Sequence, residues 1–87
     1  MLKKEFIVNS DEGFHLRPAG VLCNVAKKFD CITTLIYGDE EIVCTNPIFI
    51  VAACIKGGSK YTIKCDGPQE NECLTAITEA EANNYKI

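Results

Sequence analysis

Two side chains able to carry out chemistry stand two positions apart in the segment GFHLRPAG, residues 13–20. His15 is the only histidine of the 87 residues, and Arg17 is the only arginine in a chain that otherwise uses lysine for positive charge. A neutral imidazole is a nucleophile near neutral pH, and a guanidinium group binds oxyanions through charge-assisted hydrogen bonds. The pair therefore has the chemistry to hold an anionic group on the imidazole.

The residues after His15 predict where the pair lies in the fold. Apolar residues recur at helical spacing over Ala19–Phe29, which predicts a helix with His15 at or near its N-cap. The backbone N–H groups of Leu16 and Arg17 would point outward there, where the helix dipole favours an anion and disfavours an imidazolium. Pro18 has no N–H and loses nothing by lying in the first turn.

Spacing and capping alone leave two interpretations of the His15–Arg17 pair open. One is a phosphohistidine site, in which the helix end and Arg17 stabilise the charge of a transferring phosphoryl group. The other is an incidental polar pair at a helix start. Since no carboxylate pair, glycine-rich nucleotide loop or metal-ligand motif accompanies the pair, a phosphohistidine here would depend on partners that supply and receive the phosphoryl group.

The overall composition excludes several other classes of function. The formal net charge of −3 and the absence of a long basic run argue against a nucleic-acid-binding protein. The longest apolar run, Ile48–Ile55, is far shorter than the roughly 20 residues that span a bilayer, and no signal peptide is evident. We therefore expect one domain over residues 1–87, located in the cytoplasm without membrane insertion.

The cysteines are numerous, but their spacing does not indicate a disulfide framework or a metal site. There is no CxxC motif, and the lone histidine has no cysteine at zinc-ligand spacing. A thiol-based redox or metal protein would need cysteines close enough to pair, and the spacing gives no sign of this. We therefore expect reduced thiols that act as small core residues, with no metal and no cofactor. The six are Cys23, Cys31, Cys44, Cys54, Cys65 and Cys73.

The remaining elements predict an open-faced α+β sandwich in the order βαββαβα. Strand composition alternates with helical spacing, and Asn46-Pro47 favours a helix start over the strand-like composition of the residues that follow. A four-stranded antiparallel sheet would carry three helices on one face. The predicted strands are Leu2–Val8, Cys31–Tyr37, Glu41–Cys44 and Lys60–Asp66, and the second and third helices are Pro47–Ile55 and the segment from Pro68 to Asn83.

The segment GFHLRPAG resembles the active-site signature of the HPr family, the histidine-containing phosphocarriers of the bacterial sugar phosphotransferase system. That signature has the form G-[LI]-H-x-R-P-A, and the residues that match it are Gly13, His15, Arg17, Pro18 and Ala19. The similarity continues in AKKFD after the first helix and in GSKYTIKCDGPQEN around the last strand. It therefore extends over essentially the whole chain.

The resemblance implies a phosphoryl carrier rather than a stand-alone enzyme. His15 would accept a phosphoryl group on Nδ1 from phosphorylated enzyme I, which draws it from phosphoenolpyruvate, and would donate it to the IIA domain of a sugar permease. Leu16 and Arg17 would bind the phosphoryl group, and Arg17 would also stabilise the transfer state. A monomer fits a carrier of this size.

The resemblance also implies where partners dock and where regulation differs. Many family members carry a serine at the start of the second helix that an ATP-dependent kinase phosphorylates. Asn46 stands there in this chain, keeps the capping role and has no hydroxyl to phosphorylate. An alternative function is an HPr-like regulatory module that docks a transcription factor or a metabolic enzyme with little phosphoryl flux. The implied docking residues are Leu16, Gly20, Asn24, Lys27, Pro47, Ile48, Phe49 and Val51.

Overall fold

The computed structural model describes residues 1–9 and 12–85 and arranges them in the order βαββαβα. The strands are β1 (Leu2–Ile7), β2 (Ile32–Tyr37), β3 (Glu40–Val43) and β4 (Lys60–Asp66). The helices are α1 (Leu16–Ala26), α2 (Pro47–Ala52) and α3 (Glu70–Ala82). Within these described residues, no helix is both long and apolar enough to cross a membrane.

The four strands form one antiparallel sheet in the order β1–β4–β2–β3. Successive side chains of a strand point to opposite faces, and β4 accordingly buries Tyr61, Ile63 and Cys65 while Thr62 and Lys64 between them are only half-buried. Helices α1 and α3 pack together, α3 contacts β1 and β4, and α2 packs against α1. The open-faced α+β sandwich expected from the sequence is confirmed.

The hydrophobic core lies between the buried face of the sheet and the helices. Its largest fully buried aliphatic side chains come from both layers, and they include Leu22 of α1, Leu35 of β2 and Ile77 of α3. Deleting side chains of this kind typically costs about 2–5 kcal/mol of stability. Because α1 packs in this core, the core also sets the position of the N-cap residue of α1, His15.

Several predicted boundaries are wrong by one to three residues. Helix α1 ends at Ala26 rather than reaching Phe29, because the N–H groups of Lys28 and Phe29 bond the carbonyls three residues back, which tightens the last turn. Helix α2 ends at Ala52 rather than Ile55, since Cys54 adopts a left-handed backbone with φ of 56°. The strands differ by one residue: β1 ends before Val8, β2 begins after Cys31, and β3 is shifted back by one. Strand β4 matches its prediction.

A tight turn before α1 places the first helix against the end of the second. Gly13 has φ of +78°, and a Cβ added to it would overlap the carbonyl oxygen of Ile55. The next residue, Phe14, donates its N–H to that same oxygen at 2.9 Å. Only glycine allows the two backbones to approach this closely, because it has no Cβ and adopts positive φ freely.

We expect Gly13→Ala to destabilise the protein by about 2 kcal/mol or more, because it combines a left-handed conformation with a steric overlap. The matched control is Gly38→Ala, since Gly38 also has positive φ but nothing lies within 4 Å of an added Cβ. That control should cost only about 1 kcal/mol. Urea denaturation of the three proteins measures both values, and equal costs would contradict the tight contact with Ile55.

Candidate functional site

His15 is the N-cap of α1, as the sequence predicts. Its backbone is extended, with φ of −90° and ψ of −173°, and its side chain makes no capping hydrogen bond to the helix. The imidazole is 35% exposed, so it is held at the surface without being enclosed. A ring that does not cap its own helix leaves the N–H groups of the first turn available to another acceptor.

The first turn of α1 offers two such donors beside the imidazole. The His15 N–H is directed at the Gly13 carbonyl at 3.2 Å, and the His15 carbonyl accepts from the Ala19 N–H to begin the helix. Pro18 has no N–H, which leaves the N–H groups of Leu16 and Arg17 as the outward-pointing pair. Together with the positive end of the helix dipole, they form an anion site next to the ring.

A carboxylate lies near one of the two nitrogen atoms of the His15 imidazole. The Oε2 atom of Glu12 lies 3.7 Å from Nε2 of His15. A carboxylate near Nε2 favours the neutral tautomer that carries its hydrogen there, because N–H is the electropositive group. The lone pair is then on Nδ1, the nitrogen to which the family resemblance assigns the phosphoryl group. Sequence reasoning missed Glu12, although its position three residues before the histidine was visible.

A cleft of about 230 Å³ opens beside the imidazole, and aromatic side chains form part of its wall. The ring of Phe14 lies edge-on to Tyr61 at 5.2 Å and tilted against Tyr85 at 5.5 Å. The two tyrosine hydroxyls are 2.8 Å apart and hydrogen-bonded. Burial raises the pKa of both phenols well above the ordinary value, so they remain neutral. This aromatic cluster anchors the residue that precedes His15, and sequence reasoning did not identify it.

Charged and polar groups also line the cleft. Arg17, which is exposed, lines the same cleft as His15. Glu81 of α3 lies on the wall and accepts a hydrogen bond from the Asn9 amide at 3.3 Å. The structure thus brings His15, Leu16 and Arg17 together at one helix end, where the sequence analysis placed them.

The residues assigned to partner docking lie along two helices that pack against each other. Leu16, Gly20 and Asn24 recur at helical spacing along α1, Lys27 is its C-cap, and all four are exposed or half-exposed. On α2, Ile48 and Phe49 are 58% and 59% exposed, whereas Pro47 and Val51 are half-buried. Two adjacent large apolar side chains are therefore exposed together at the start of α2, beside the exposed residues of α1.

Asn46 is the N-cap of α2, in agreement with the sequence analysis. Its side-chain oxygen accepts a hydrogen bond from the Ile48 N–H at 3.0 Å, and Pro47 occupies the first helical position. Thr45 before it is exposed, but it lies outside the helix. The side-chain amide of Asn46 therefore caps α2.

Comparison with known proteins agrees with this geometry. The PTS-HPr family model, described as "PTS HPr component phosphorylation site", matches residues 2–83. The phosphocarrier protein HPr of Mycoplasma capricolum is 32% identical over 79 residues, which cover 91% of this chain and 89% of that protein.

Solved structures give the same result for the fold. The histidine-containing phosphocarrier protein of a mycoplasma has a TM-score of 0.91 at 29% identity, covering 95% of this chain and 94% of the other. HPr from Bacillus anthracis, at 24% identity, shares the fold with a TM-score of 0.77, covering 87% of this chain and 90% of its own. With a histidine at the start of α1 and a family match over nearly its whole length, the chain belongs to the HPr family of phosphocarriers of the phosphotransferase system.

Proposed function

We propose that His15 accepts a phosphoryl group from phosphorylated enzyme I in the cytoplasm and donates it to IIA domains of sugar permeases. The observation that carries the proposal is the placement of an imidazole that caps nothing beside the free N–H groups of Leu16 and Arg17. A nucleophile and an anion site at one surface-exposed helix end are what a group carrier needs.

In the first step, the lone pair on Nδ1 of His15 attacks phosphorus. The Nδ1–P bond forms as the bond between phosphorus and the donor group of enzyme I breaks, and that bond's electron pair returns to enzyme I. The N–H groups of Leu16 and Arg17 and the guanidinium of Arg17 stabilise the charge on the phosphoryl oxygens. The positive charge that develops on the ring is stabilised by the Glu12 carboxylate, 3.7 Å from Nε2.

The second step reverses the first with a different partner. A nucleophile on the IIA domain attacks the same phosphorus, the Nδ1–P bond breaks, and its electron pair returns to the imidazole. Because His15 lies at a surface rather than in an enclosed pocket, each partner can approach the phosphorus directly. Docking by the exposed side chains of α1 and α2 supports this exchange, since both partners would use one surface in turn.

Incubation with enzyme I and phosphoenolpyruvate should label this protein with phosphate that is labile in acid and stable in base, as a phosphohistidine is. The label should disappear in His15→Ala. This variant is expected to fold, since the imidazole makes no capping hydrogen bond. Absence of labelling in the unaltered protein with a cognate enzyme I would falsify the carrier function. Label that persists in His15→Ala would show that another residue carries the phosphoryl group.

Arg17→Ala should slow phosphoryl transfer by about 100-fold, because one donor to the transferring oxygens is lost. Arg17→Lys should recover part of the rate, since an ammonium keeps the charge but lacks the planar fork of donors. Rapid-quench measurement of transfer from phosphorylated enzyme I gives both rates. The thermal unfolding midpoint serves as the control and should not change, because Arg17 is exposed. A rate within twofold of the unaltered protein would contradict the role of Arg17.

Phe49→Ala should raise the KM of enzyme I for this protein about tenfold and leave kcat unchanged, because it removes binding without touching the reacting atoms. The matched control is Ile32→Ala at the start of β2, where the side chain is 63% exposed compared with 59% for Phe49. Steady-state assays with each variant measure the difference. Equal KM values for the two variants would show that α2 does not contribute to docking.

A further inference from the structure

Three cysteine thiols meet at the end of the sheet remote from His15. The Sγ atoms of Cys31, Cys65 and Cys73 all lie within 4.8 Å of one another. These residues are 34 and 8 positions apart in sequence, so the expectation that no cysteines lie close together is wrong. All three are free thiols, and Cys65 and Cys73 are fully buried while Cys31 is half-buried.

The fold brings these thiols together through three separate elements. Cys65 lies on the buried face of β4, and Cys73 lies near the start of α3. Cys31 directly precedes β2, and the turn at Gly67 is so close to it that an added Cβ would clash with the Cys31 backbone. Helix, sheet and turn therefore hold the three sulfur atoms in place from different sides.

A fourth polar atom completes the group. Thr33 is the register partner of Cys65, and its hydroxyl oxygen lies 3.3 Å from Sγ of Cys73, 3.6 Å from Sγ of Cys31 and 3.9 Å from Sγ of Cys65. In a tetrahedral site with metal–sulfur bonds of about 2.3 Å, neighbouring ligand atoms are about 3.8 Å apart. The three separations between the Thr33 oxygen and the sulfur atoms are close to this value, and the sulfur atoms themselves are no more than 4.8 Å apart.

We propose that Cys31, Cys65 and Cys73 bind a thiophilic divalent metal ion of the zinc class, with the Thr33 hydroxyl oxygen at the fourth vertex. Thiolate ligands select such soft or borderline ions over hard ions, which prefer oxygen. Each thiol gives its proton to solvent as its metal–sulfur bond forms. One divalent ion with three thiolates carries a net charge of −1.

Solvent has a route to this group. A surface groove of about 250 Å³ is lined by Lys27, Phe29, Cys31 and Thr33, so two of the four ligand residues border an open depression. The phosphoryl site lies elsewhere, since Cys65 pairs with Leu2 whereas the His15 cleft is lined by Ile7. Five residue steps along β1 separate these positions by about 17 Å. A bound ion would therefore link β2, β4 and α3 without touching His15.

The test is a titration of the full, reduced chain with cobalt(II) under anaerobic conditions. We expect one equivalent to bind with intense sulfur-to-cobalt charge-transfer absorption and the visible bands of a tetrahedral ion, and zinc(II) to displace it. Cys31→Ser should lose this signal, and because Cys31 is only half-buried the variant should still fold. Cys54→Ser is the matched control, since Cys54 is exposed and lies outside the group, and it should bind as the unaltered protein does.

Zinc(II) should also raise the thermal unfolding midpoint of the unaltered protein and of Cys54→Ser, but not that of Cys31→Ser, because an ion that binds only the folded state stabilises it. Phosphoryl transfer through His15 should be the same in Cys31→Ser and the unaltered protein. The proposal is overturned if cobalt(II) gives no sulfur charge transfer, or if Cys31→Ser retains it. Oxidation of two of these thiols to a disulfide, with no metal binding after reduction, would likewise overturn it.

Discussion

The hydrogen bond from the Phe14 N–H to the Ile55 carbonyl oxygen is the constraint on which the geometry of His15 depends. It joins the segment before α1 to the segment after α2, and Gly13 makes the close approach possible. The Phe14 side chain is held at the same time between Tyr61 and Tyr85. With its preceding residue fixed through both backbone and side chain, His15 has little freedom except rotation of its own ring. A backbone fixed in this way would preorganise the imidazole and the N–H groups beside it for the proposed transfer.

The overall fold and the position of His15 at a helix start could be predicted from the sequence, because both depend on local signals. The helix start at His15 follows from residue spacing and from Pro18, and β4 follows from strict alternation, which leaves little choice of boundaries. The end of α2 could not be predicted. The apolar run continues past Ala52 without a breaker, and a cysteine gives no local signal for the left-handed backbone that Cys54 adopts.

The features that sequence reasoning missed depend on contacts between distant parts of the chain. The aromatic cluster joins Phe14, Tyr61 and Tyr85, and no local pattern indicates that these three rings meet. Proximity of Cys65 to Cys31 follows from the register of β2 against β4, which periodicity does not determine. Motif spacing detects metal sites when ligands come from one short segment, and it is uninformative when a sheet assembles them. The aromatic cluster near His15 and the thiol group at the other end of the sheet could therefore be identified only from the folded structure.

The strand order leaves β1 and β3 as the two edges of the sheet, each with unpaired backbone groups. Both edges are charged: β1 carries Lys3, Lys4 and Glu5, and β3 begins with Glu40 and Glu41. Charged side chains along an edge disfavour pairing with a strand of another molecule. A protein that must bind and leave its partners repeatedly would be trapped by strand addition, which is stable and slow to reverse. The charged edges therefore disfavour association through the sheet, and the proposed docking on the helices would be free of that competition.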